Sequence, residues 1–584
     1  MKDQIEQIVA AAVARLPDLE DHPEIVDIRP LIERTRDNQH GDYACNIAMQ
    51  LARTLQTKPR ELAQSIVDCM PPSDRIAGIE IAGPGFINFR LSPEAFHDEL
   101  KNIISLGDKY GCSDIKAGKK VIVEYVSANP TGPLHVGHGR HAAYGASVAN
   151  LLTATGHEVH EEYYVNDAGR QMDILTLSVW LRMLQIADVD VPFPGNAYQG
   201  DYIVDIARIA VAQFPVAVEA DKAPALENFQ ADVPEADADI HLDKLIAFAR
   251  ESLGEETFSA IHRVVLDAIL GDIKEDLAEF GVVPDEWFSE QSLMTGGAID
   301  RALERVKKHG KSYEKDGAIW FRATDYGDEK DRVIVRENGR TTYFASDIAY
   351  HLQKRERGFD LLLDILGADH HGYVARVRAG LEAIGEPPDS LQVELVQFVV
   401  LYRGKEKIQM STRSGEFDTL RKLRQQVGND AARFFFVSRS NKQHLDFDLE
   451  LAILQTNDNP VYYIQYAHAR IWSVMRELDS RGLSGPAKDV GMLHLLTEPH
   501  EQALMKRLTR YPEIIELAAK QRAPHHVVHY LHELAQDFHT YYNAHRFIVE
   551  DEALRNARVF LINAVRQVLH NGLGIIGVSA PESM

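Results

Sequence analysis

Two histidines lie three residues apart at a point where the sequence pattern changes from strand to helix. His135 and His138 flank Gly137, and a turn rich in proline and glycine precedes them. Side chains at this spacing face the same side of a helix entry, where free backbone N–H groups and a partial positive charge attract phosphate. Gly137 lets a flat ring approach the backbone. The segment therefore predicts a site for a nucleotide polyphosphate.

Apolar runs and helical patterns around these histidines indicate the elements that position them. The run 121–126 precedes the turn, and a helical pattern of small residues at 142–149 follows it. Further apolar runs at 333–335, 361–367 and 395–402 are typical of parallel strands buried on both faces. Strands that alternate with helices predict a doubly wound α/β sheet, whose ligands lie at the carboxyl ends of the strands.

The chain is too long for one hydrophobic core, since 584 residues usually divide into several domains. We predict an N-terminal α/β module at residues 1–112, with a strand–turn–strand at 79–89. A catalytic α/β domain follows at 119–455, and its insertion at about 165–330 contains an acidic stretch that we expect to be a solvated loop. Helical spacing of apolar residues predicts an α-helical bundle at 456–584.

Composition limits the cellular setting and the kinds of metal site. Cys45, Cys69 and Cys112 are scattered, which predicts neither a disulfide framework nor a structural zinc site and fits a reducing cytoplasm. No apolar run is long enough to predict a membrane span, and the acidic N-terminus reads as an amphipathic helix rather than a signal peptide. The net charge of −24 does not exclude a nucleic acid, because binding depends on a local basic surface.

The segment around His135 resembles the HIGH signature of class I aminoacyl-tRNA synthetases. Glu124 and Asn129 precede His135 by eleven and six residues, an extended pattern similar to that of the arginyl-tRNA synthetases. Segments 341–350, 366–373 and 409–415 resemble later motifs of that family in the same order, and 573–581 resembles its C-terminus. The resemblance runs from near residue 30 to the end of the chain.

The resemblance implies a ligase that activates L-arginine with ATP and transfers it to tRNA(Arg). It implies a class I Rossmann-like catalytic domain, an N-terminal domain that contacts the tRNA elbow, and a C-terminal anticodon-binding bundle. It also implies a monomer, ATP bound with Mg²⁺, arginine activation that needs bound tRNA, and initial attack by the 2′-OH of the terminal adenosine.

The resemblance also assigns roles to individual residues. The HIGH region comprises Ala128, Asn129, Pro130, Thr131, Gly132, Pro133, Leu134, His135, Val136, Gly137 and His138. The residues implied in ATP binding are His135, Gly137, His138, Asp369, His371, Met410 and Ser411. The residues implied in arginine binding are Glu124, Asn129, His135, Tyr343 and Asp347. The residues implied in catalysis are His135, His138 and Arg413.

The acidic residues implied in arginine binding suit this substrate, because a carboxylate accepts two parallel N–H bonds from a guanidinium. Read without the resemblance, Glu124 would more often be an ordinary ion-pair residue. The alternative role for Asp369, beside ribose binding, is a helix N-cap. Tyr462, Tyr463, Tyr466 and His468 could stack on bases or pack in a core.

The phosphate loop departs from the KMSKS pattern of the family. Gln409 and Thr412 replace its two lysines, and Arg413 offers a forked cation one position later. Some arginine enzymes that lack this lysine carry one before the HIGH motif, where this chain has Gly132. Lys405 or Lys407 could supply the charge instead, so the cation that neutralises pyrophosphate stays open.

Two other functions compete with arginine–tRNA ligation. One is another class I synthetase, such as the cysteine enzyme, which needs a zinc-binding cysteine set. The other is a non-catalytic tRNA-binding homologue, which only the altered loop supports.

Overall fold

The computed structural model describes residues 1–17, 22, 25, 28–35, 37–218, 233–234, 237–370, 372–408, 419–483 and 491–584. The predicted site residues His371, Met410, Ser411 and Arg413 lie outside the described residues, as does most of the acidic stretch at 219–243.

Strands and helices alternate through the first three quarters of the chain, and only helices follow. The strands are β1 (Ile32–Arg34), β2 (Tyr43–Cys45), β3 (Ile76–Ala82), β4 (Phe86–Leu91), β5 (Lys120–Glu124), β6 (Glu158–Val165), β7 (Glu286–Ser289), β8 (Ser312–Lys315), β9 (Ala318–Phe321), β10 (Arg332–Val335), β11 (Leu361–Gly367), β12 (Leu391–Val396), β13 (Val399–Arg403), β14 (Glu406–Lys407) and β15 (Leu445–Asp448). The helices are α1 (Lys2–Val13), α2 (Ile47–Leu51), α3 (Pro59–Asp68), α4 (Pro93–Leu106), α5 (Val136–Ala154), α6 (Arg170–Ile186), α7 (Asp201–Gln213), α8 (Ala238–Leu253), α9 (Glu255–Glu279), α10 (Glu290–Thr295), α11 (Ala298–Lys308), α12 (Tyr343–Glu356), α13 (Tyr373–Ala383), α14 (Leu420–Val427), α15 (Asn429–Val437), α16 (Leu449–Ile453), α17 (Pro460–Ser480), α18 (Pro499–Leu508), α19 (Tyr511–Gln521), α20 (His525–Ala544) and α21 (Glu552–Ile575).

A five-stranded parallel sheet forms the centre of the catalytic part, in the order β12-β11-β5-β6-β7. The apolar run 121–126 supplies its middle strand, β5, as predicted, and Val121, Ile122 and Val123 are fully buried. The α/β fold class is therefore confirmed. The predicted insertion contributes more than loops, because β7 lies within 165–330 and pairs with β6 at the sheet edge.

Two strand predictions were wrong. Residues 333–335 belong to β10, which pairs antiparallel with β9 in a separate three-stranded sheet. A short apolar run does not distinguish a hairpin strand from a parallel core strand. Residues 395–402 form the end of β12 and most of β13, in different sheets. The strand is interrupted because Gln397 donates its N–H to Asn441 and its carbonyl accepts from the buried Arg140 at 2.7 Å.

The ends of the chain form an N-terminal α/β module and a helical bundle. The predicted strand–turn–strand at 79–89 is confirmed by β3 and β4, which belong to an antiparallel sheet of order β1-β2-β4-β3. The helical prediction from 456 onward is confirmed by α17 to α21. These two parts contact each other, because Glu513 accepts hydrogen bonds from Arg34 at 2.8 Å and from Tyr43 at 2.7 Å. Among the described residues, no helix combines the length and apolar character needed to cross a membrane.

Candidate active site

A strained turn joins β5 to α5 at the carboxyl edge of the parallel sheet. Val126 and Ser127 have positive φ angles of 68° and 38°, a conformation that is unfavourable for a β-branched residue. Neighbouring strand β6 holds the turn in place. The N–H of Tyr164 donates to Ser127 Oγ at 3.1 Å, and the Tyr163 hydroxyl donates to the Ala128 carbonyl at 2.9 Å. The sheet therefore stabilises a backbone that aims the following segment at the entry of α5.

His135 and His138 form a reciprocal cap at the start of α5. The backbone N–H of each residue donates to Nδ1 of the other at 3.3 Å, and the rings stack with centroids 3.5 Å apart. Because each Nδ1 accepts a hydrogen bond, the proton of each neutral ring lies on Nε2. The cap therefore fixes two Nε2–H donors at a helix N-terminus, which suits phosphate oxygens.

The surroundings of both histidines favour the neutral imidazole, because both pKa values are lowered. Burial lowers the pKa of His135, and burial together with the neighbouring His135 and His141 lowers the pKa of His138 well below its ordinary value. A neutral imidazole keeps its Nε2–H donor and adds no positive charge beside His141, whose pKa burial lowers to about 4. The pair can thus stabilise developing phosphate charge by hydrogen bonding.

Gly137 is required by the position of the first histidine ring. A Cβ at Gly137 would lie 2.8 Å from His135 Cε1 and 3.0 Å from its Nδ1, closer than real Cβ contacts. We expect Gly137→Ala to displace the ring together with its Nε2–H donor. The kcat for the amino-acid activation that the resemblance implies should then fall by about 10- to 100-fold, which is less than for complete removal of a catalytic hydrogen-bond donor. Gly271→Ala is the control, because a Cβ there meets nothing within 4 Å. Equal activity of the two variants would contradict this role for Gly137.

An acidic pocket lies between the ends of β5 and β7 and helix α12. Burial raises the pKa of Asp347 to about 6, and the charges of Glu124 and Asp364 add to this rise. Burial also raises the pKa of Glu290 to about 7, and Asp347 adds to it by repulsion. Carboxylates crowded in this way favour a bound cation, which would relieve their repulsion.

Sequence reasoning did not identify Glu290. This residue begins α10 directly after β7, is only 3% exposed, and its Oε2 is buried with no hydrogen-bond partner among the described residues. An unpaired buried carboxylate oxygen is costly unless a ligand satisfies it. The sequence feature that could have identified Glu290 is its position as an acidic residue after the apolar pair Trp287 and Phe288, at the carboxyl end of a short strand.

Glu124 closes the inner wall of the pocket and already has one partner. Lys354 Nζ donates to Glu124 Oε2 at 2.6 Å and to Asp364 Oδ1 at 2.9 Å. The ion-pair interpretation of Glu124 is therefore correct for one of its two oxygens. The other oxygen leaves the residue able to bind a second cation.

The other predicted residues lie on three different segments of the chain. Asn129 is exposed, and its Oδ1 accepts from Asn166 Nδ2 at 3.2 Å. Tyr343 starts α12 and is 64% exposed. Asp369 follows β11 and is exposed. It lies close enough to His141 for their charges to interact, which places it on the same side as the histidine pair.

The residues that directly follow the segment 409–418 lie near the first histidine. Thr419 forms a bridge with His135, and the N–H of Leu420 donates to the Leu134 carbonyl at 2.8 Å. Lys405 and Lys407 lie upstream in the exposed hairpin of β13 and β14. Gly132 contacts the insertion, because a Cβ there would lie 3.0 Å from the Tyr202 hydroxyl, which donates to the Thr131 carbonyl.

The raised carboxyl pKa values predict a pH dependence for binding of a cationic amino acid. Between about pH 4 and pH 7 the folded pocket holds protons on Asp347 and Glu290 that the unfolded chain has lost, so these groups destabilise the fold as pH rises. The same protons must leave when a guanidinium binds.

We therefore expect the KM for that amino acid to fall as pH rises from about 5.5 to about 8, by roughly tenfold per unit where one proton is released. The KM for the nucleotide is the internal control. A KM for the amino acid that is flat across this range would contradict the proton release.

Comparisons with known proteins agree with the order of the three parts. A model of the arginyl tRNA synthetase N terminal domain matches residues 2–91, one of the class I (R) tRNA synthetase catalytic domain matches 99–191 and 245–463, and one of the DALR anticodon binding domain matches 464–584. The arginine–tRNA ligase of Thioalkalivibrio sulfidiphilus is 54% identical over 586 residues, and that of Coxiella burnetii strain RSA 331 is 52% identical over 592, each covering 100% of both chains.

Solved structures give the same result for the fold. The putative arginyl tRNA synthetase of Campylobacter jejuni has a TM-score of 0.71 at 32% identity and covers 85% of this chain and 100% of its own. The arginyl-tRNA synthetase of Thermus thermophilus has a TM-score of 0.72 at 23% identity and covers 100% of both chains, a likeness of fold.

Proposed function

The chain belongs to the class I arginyl-tRNA synthetases, and from this premise we propose which of its residues carry the reaction. It is an ATP-dependent arginine–tRNA ligase, which joins L-arginine to AMP and then transfers the arginyl group to the 3′ end of tRNA(Arg). The observation that supports the site most strongly is the group of buried carboxylates at the same carboxyl edge of the sheet as the two Nε2–H donors. It fits a cationic amino acid next to a polyphosphate.

In this proposal the guanidinium of arginine binds Asp347 and Glu290. Both carboxyls have a raised pKa, and Glu290 Oε2 has no hydrogen-bond partner among the described residues, so a guanidinium would supply what the pocket lacks. Glu124, Asn129, His135 and Tyr343 complete the arginine site by resemblance. Tyr343 is exposed at the start of α12, about one helical turn before Asp347.

Activation then requires alignment and charge stabilisation rather than a general base. The arginine carboxylate is already ionised and attacks the α-phosphorus of ATP, and pyrophosphate leaves. His135 and His138 donate from Nε2 to the phosphate oxygens as charge shifts onto them. Arg413 neutralises the departing pyrophosphate from the loop whose far end pairs with His135. Mg²⁺ enters with ATP, bound mainly through phosphates and water.

Gly137, Asp369, His371, Met410 and Ser411 complete the ATP site in this proposal. Asp369 follows β11 at the carboxyl edge of the sheet, where acidic residues bind ribose hydroxyls in nucleotide folds. His371 lies two residues further on. Met410 and Ser411 belong to the same loop as Arg413.

The remaining parts of the chain bind tRNA(Arg) in this proposal. The bundle at 456–584 recognises the anticodon, and the module at 1–112 contacts the tRNA elbow. The terminal adenosine attacks the adenylate with its 2′-OH, and activation needs bound tRNA. Tyr462 and Tyr466 are partly buried and stack on each other, whereas His468 is buried, so the two tyrosines are the better candidates for contacts with bases.

We also propose a cytoplasmic monomer without structural zinc, which the scattered cysteines and the family resemblance support. Within the described residues the one candidate cluster of metal ligands is His160, Glu162 and Glu286. The guanidinium of Arg357 already binds all three, with its Nη2 2.7 Å from Glu286 and 3.0 Å from His160.

Aminoacylation of purified tRNA(Arg) tests the assigned function. We expect ATP-dependent attachment of arginine and none of cysteine, the substrate of the competing class I assignment. Binding of tRNA without charging would indicate the non-catalytic homologue, and charging with cysteine would indicate the other synthetase.

A further inference from the structure

A fully buried lysine lies beneath the acidic pocket. Lys354 is on α12, seven residues after Asp347 and therefore on the same helix face. Its ammonium is fully buried, bonds to Glu124 and Asp364, and lies 4.1 Å from the centre of the Tyr350 ring. Burial alone would lower the pKa of Lys354, but the charges of Asp364 and Glu124 outweigh it and raise that pKa. The lysine is therefore a permanent cation in the floor of the pocket.

His351 lies in the same floor and contacts Asp364. Its Nε2 lies 2.8 Å from Asp364 Oδ2, and its Nδ1 lies 2.8 Å from the Asp347 carbonyl oxygen. Burial would raise the pKa of Asp364, but Lys354 and His351 hold it well below its usual range.

The acidic pocket contains an inner and an outer pair of carboxylates. Glu124 and Asp364 form the inner pair of carboxylates, and both accept hydrogen bonds from the Lys354 ammonium. Asp347 and Glu290 form the outer pair, and their pKa values are raised mainly by burial and further by repulsion from neighbouring carboxylates. The outer pair is therefore left for the guanidinium of arginine.

The contact with Lys354 also decides how Glu124 faces the substrate. Because Nζ holds Oε2 at 2.6 Å, the other oxygen of Glu124 is kept in one direction. Glu124 ends β5 directly before the strained turn, and Lys354 reaches its side chain from α12. A freed Glu124 would also be a buried, unpaired charge, which takes up a proton or rotates toward water.

We propose that Lys354 is a positioning residue for arginine specificity: it holds Glu124 in one orientation and leaves two unmatched carboxylates for the substrate. This inference rests on the proposed arginine site and adds to it a residue that touches neither arginine nor ATP.

Two variants separate positioning from simple charge balance. Lys354→Met removes the ammonium and keeps the length of the stem. Lys354→Met/Asp364→Asn removes one cation and one anion, so the total pocket charge of the unmodified protein is kept while Glu124 loses its partner. Lys308→Met, at an exposed position on α11, is the matched control. Arginine-dependent ATP–pyrophosphate exchange in the presence of tRNA(Arg) gives the KM for arginine and for ATP, and thermal unfolding gives stability.

We expect Lys354→Met to lower kcat/KM for arginine by about 100-fold or more, mainly through KM, and to lower the unfolding midpoint. The double variant should recover the midpoint but stay at least about 30-fold below the unmodified enzyme for arginine, with the KM for ATP within about threefold in both.

Three results would overturn the proposal. The double variant could recover kcat/KM for arginine to within about threefold of the unmodified enzyme, which would make Lys354 a charge-balancing residue only. The KM for ATP could rise in parallel with that for arginine. The double variant could also fail to fold, which would assign Lys354 to folding. An unmodified enzyme that does not activate arginine would instead contradict the proposed function.

Discussion

Replacing Asp347 by asparagine is expected to lower kcat/KM for arginine by about 10³-fold, because the guanidinium then loses a desolvated carboxylate partner. ATP binding should change little, since Asp347 lies in the acidic pocket and not beside the histidine pair. Asparagine keeps the size of the side chain, so the loss reports charge rather than shape.

The same variant should keep or gain stability, although it loses activity. Burial and the nearby carboxylates raise the pKa of Asp347 to about 6, so its charge costs folding free energy at neutral pH. Asp347→Asn removes that cost, and we expect an unchanged or higher unfolding midpoint. Asp300→Asn on the exposed face of α11 is the control. A variant that loses stability together with activity would show that Asp347 has a structural role.

The second large effect is expected at the first histidine of the motif. Asparagine is a good N-cap, and its side-chain oxygen replaces His135 Nδ1 as the acceptor for the His138 N–H. It has no counterpart of the Nε2–H donor. We therefore expect His135→Asn to keep the stability of α5 and to lower kcat for activation by about 10²- to 10³-fold, as for loss of one oxyanion donor.

A comparison with His135→Ala separates the two roles of this side chain. Alanine loses both the cap and the donor, so it should match the loss of kcat and also destabilise the protein by about 1 kcal/mol. Activation assays and chemical denaturation measure the two effects independently. If His135→Asn kept full activity, the Nε2–H donor would have no part in catalysis.

Local sequence patterns predicted the elements that carry the motif. The apolar run 121–126, the turn and the small residues of α5 are consecutive, so their order along the chain already determines strand, turn and helix. The strand candidates at 333–335 and 395–402 were misassigned because pairing partners are set by distant residues. Arg140 and Asn441, for example, interrupt the second strand through Gln397.

The acidic pocket could be predicted only in part. Glu124 and Asp347 came from the family resemblance, whereas Glu290 and Lys354 did not come from any pattern. The contact between Lys354 and Glu124 joins residues 230 positions apart, and no periodicity encodes it. A buried lysine is also rare enough that an exposed position was the better expectation for Lys354 from sequence. Its spacing of seven residues from Asp347 has meaning only once α12 is known to face the sheet.

Exchange of ATP with labelled pyrophosphate, driven by arginine or by citrulline, tests the central claim most directly. Citrulline keeps the shape of arginine and replaces the guanidinium by a neutral urea group. A pocket with two unmatched carboxylates should activate arginine in the presence of tRNA(Arg) and favour it over citrulline by about 10³-fold or more. Comparable exchange with both amino acids, or none with arginine even when tRNA(Arg) is bound, would contradict this account of the site.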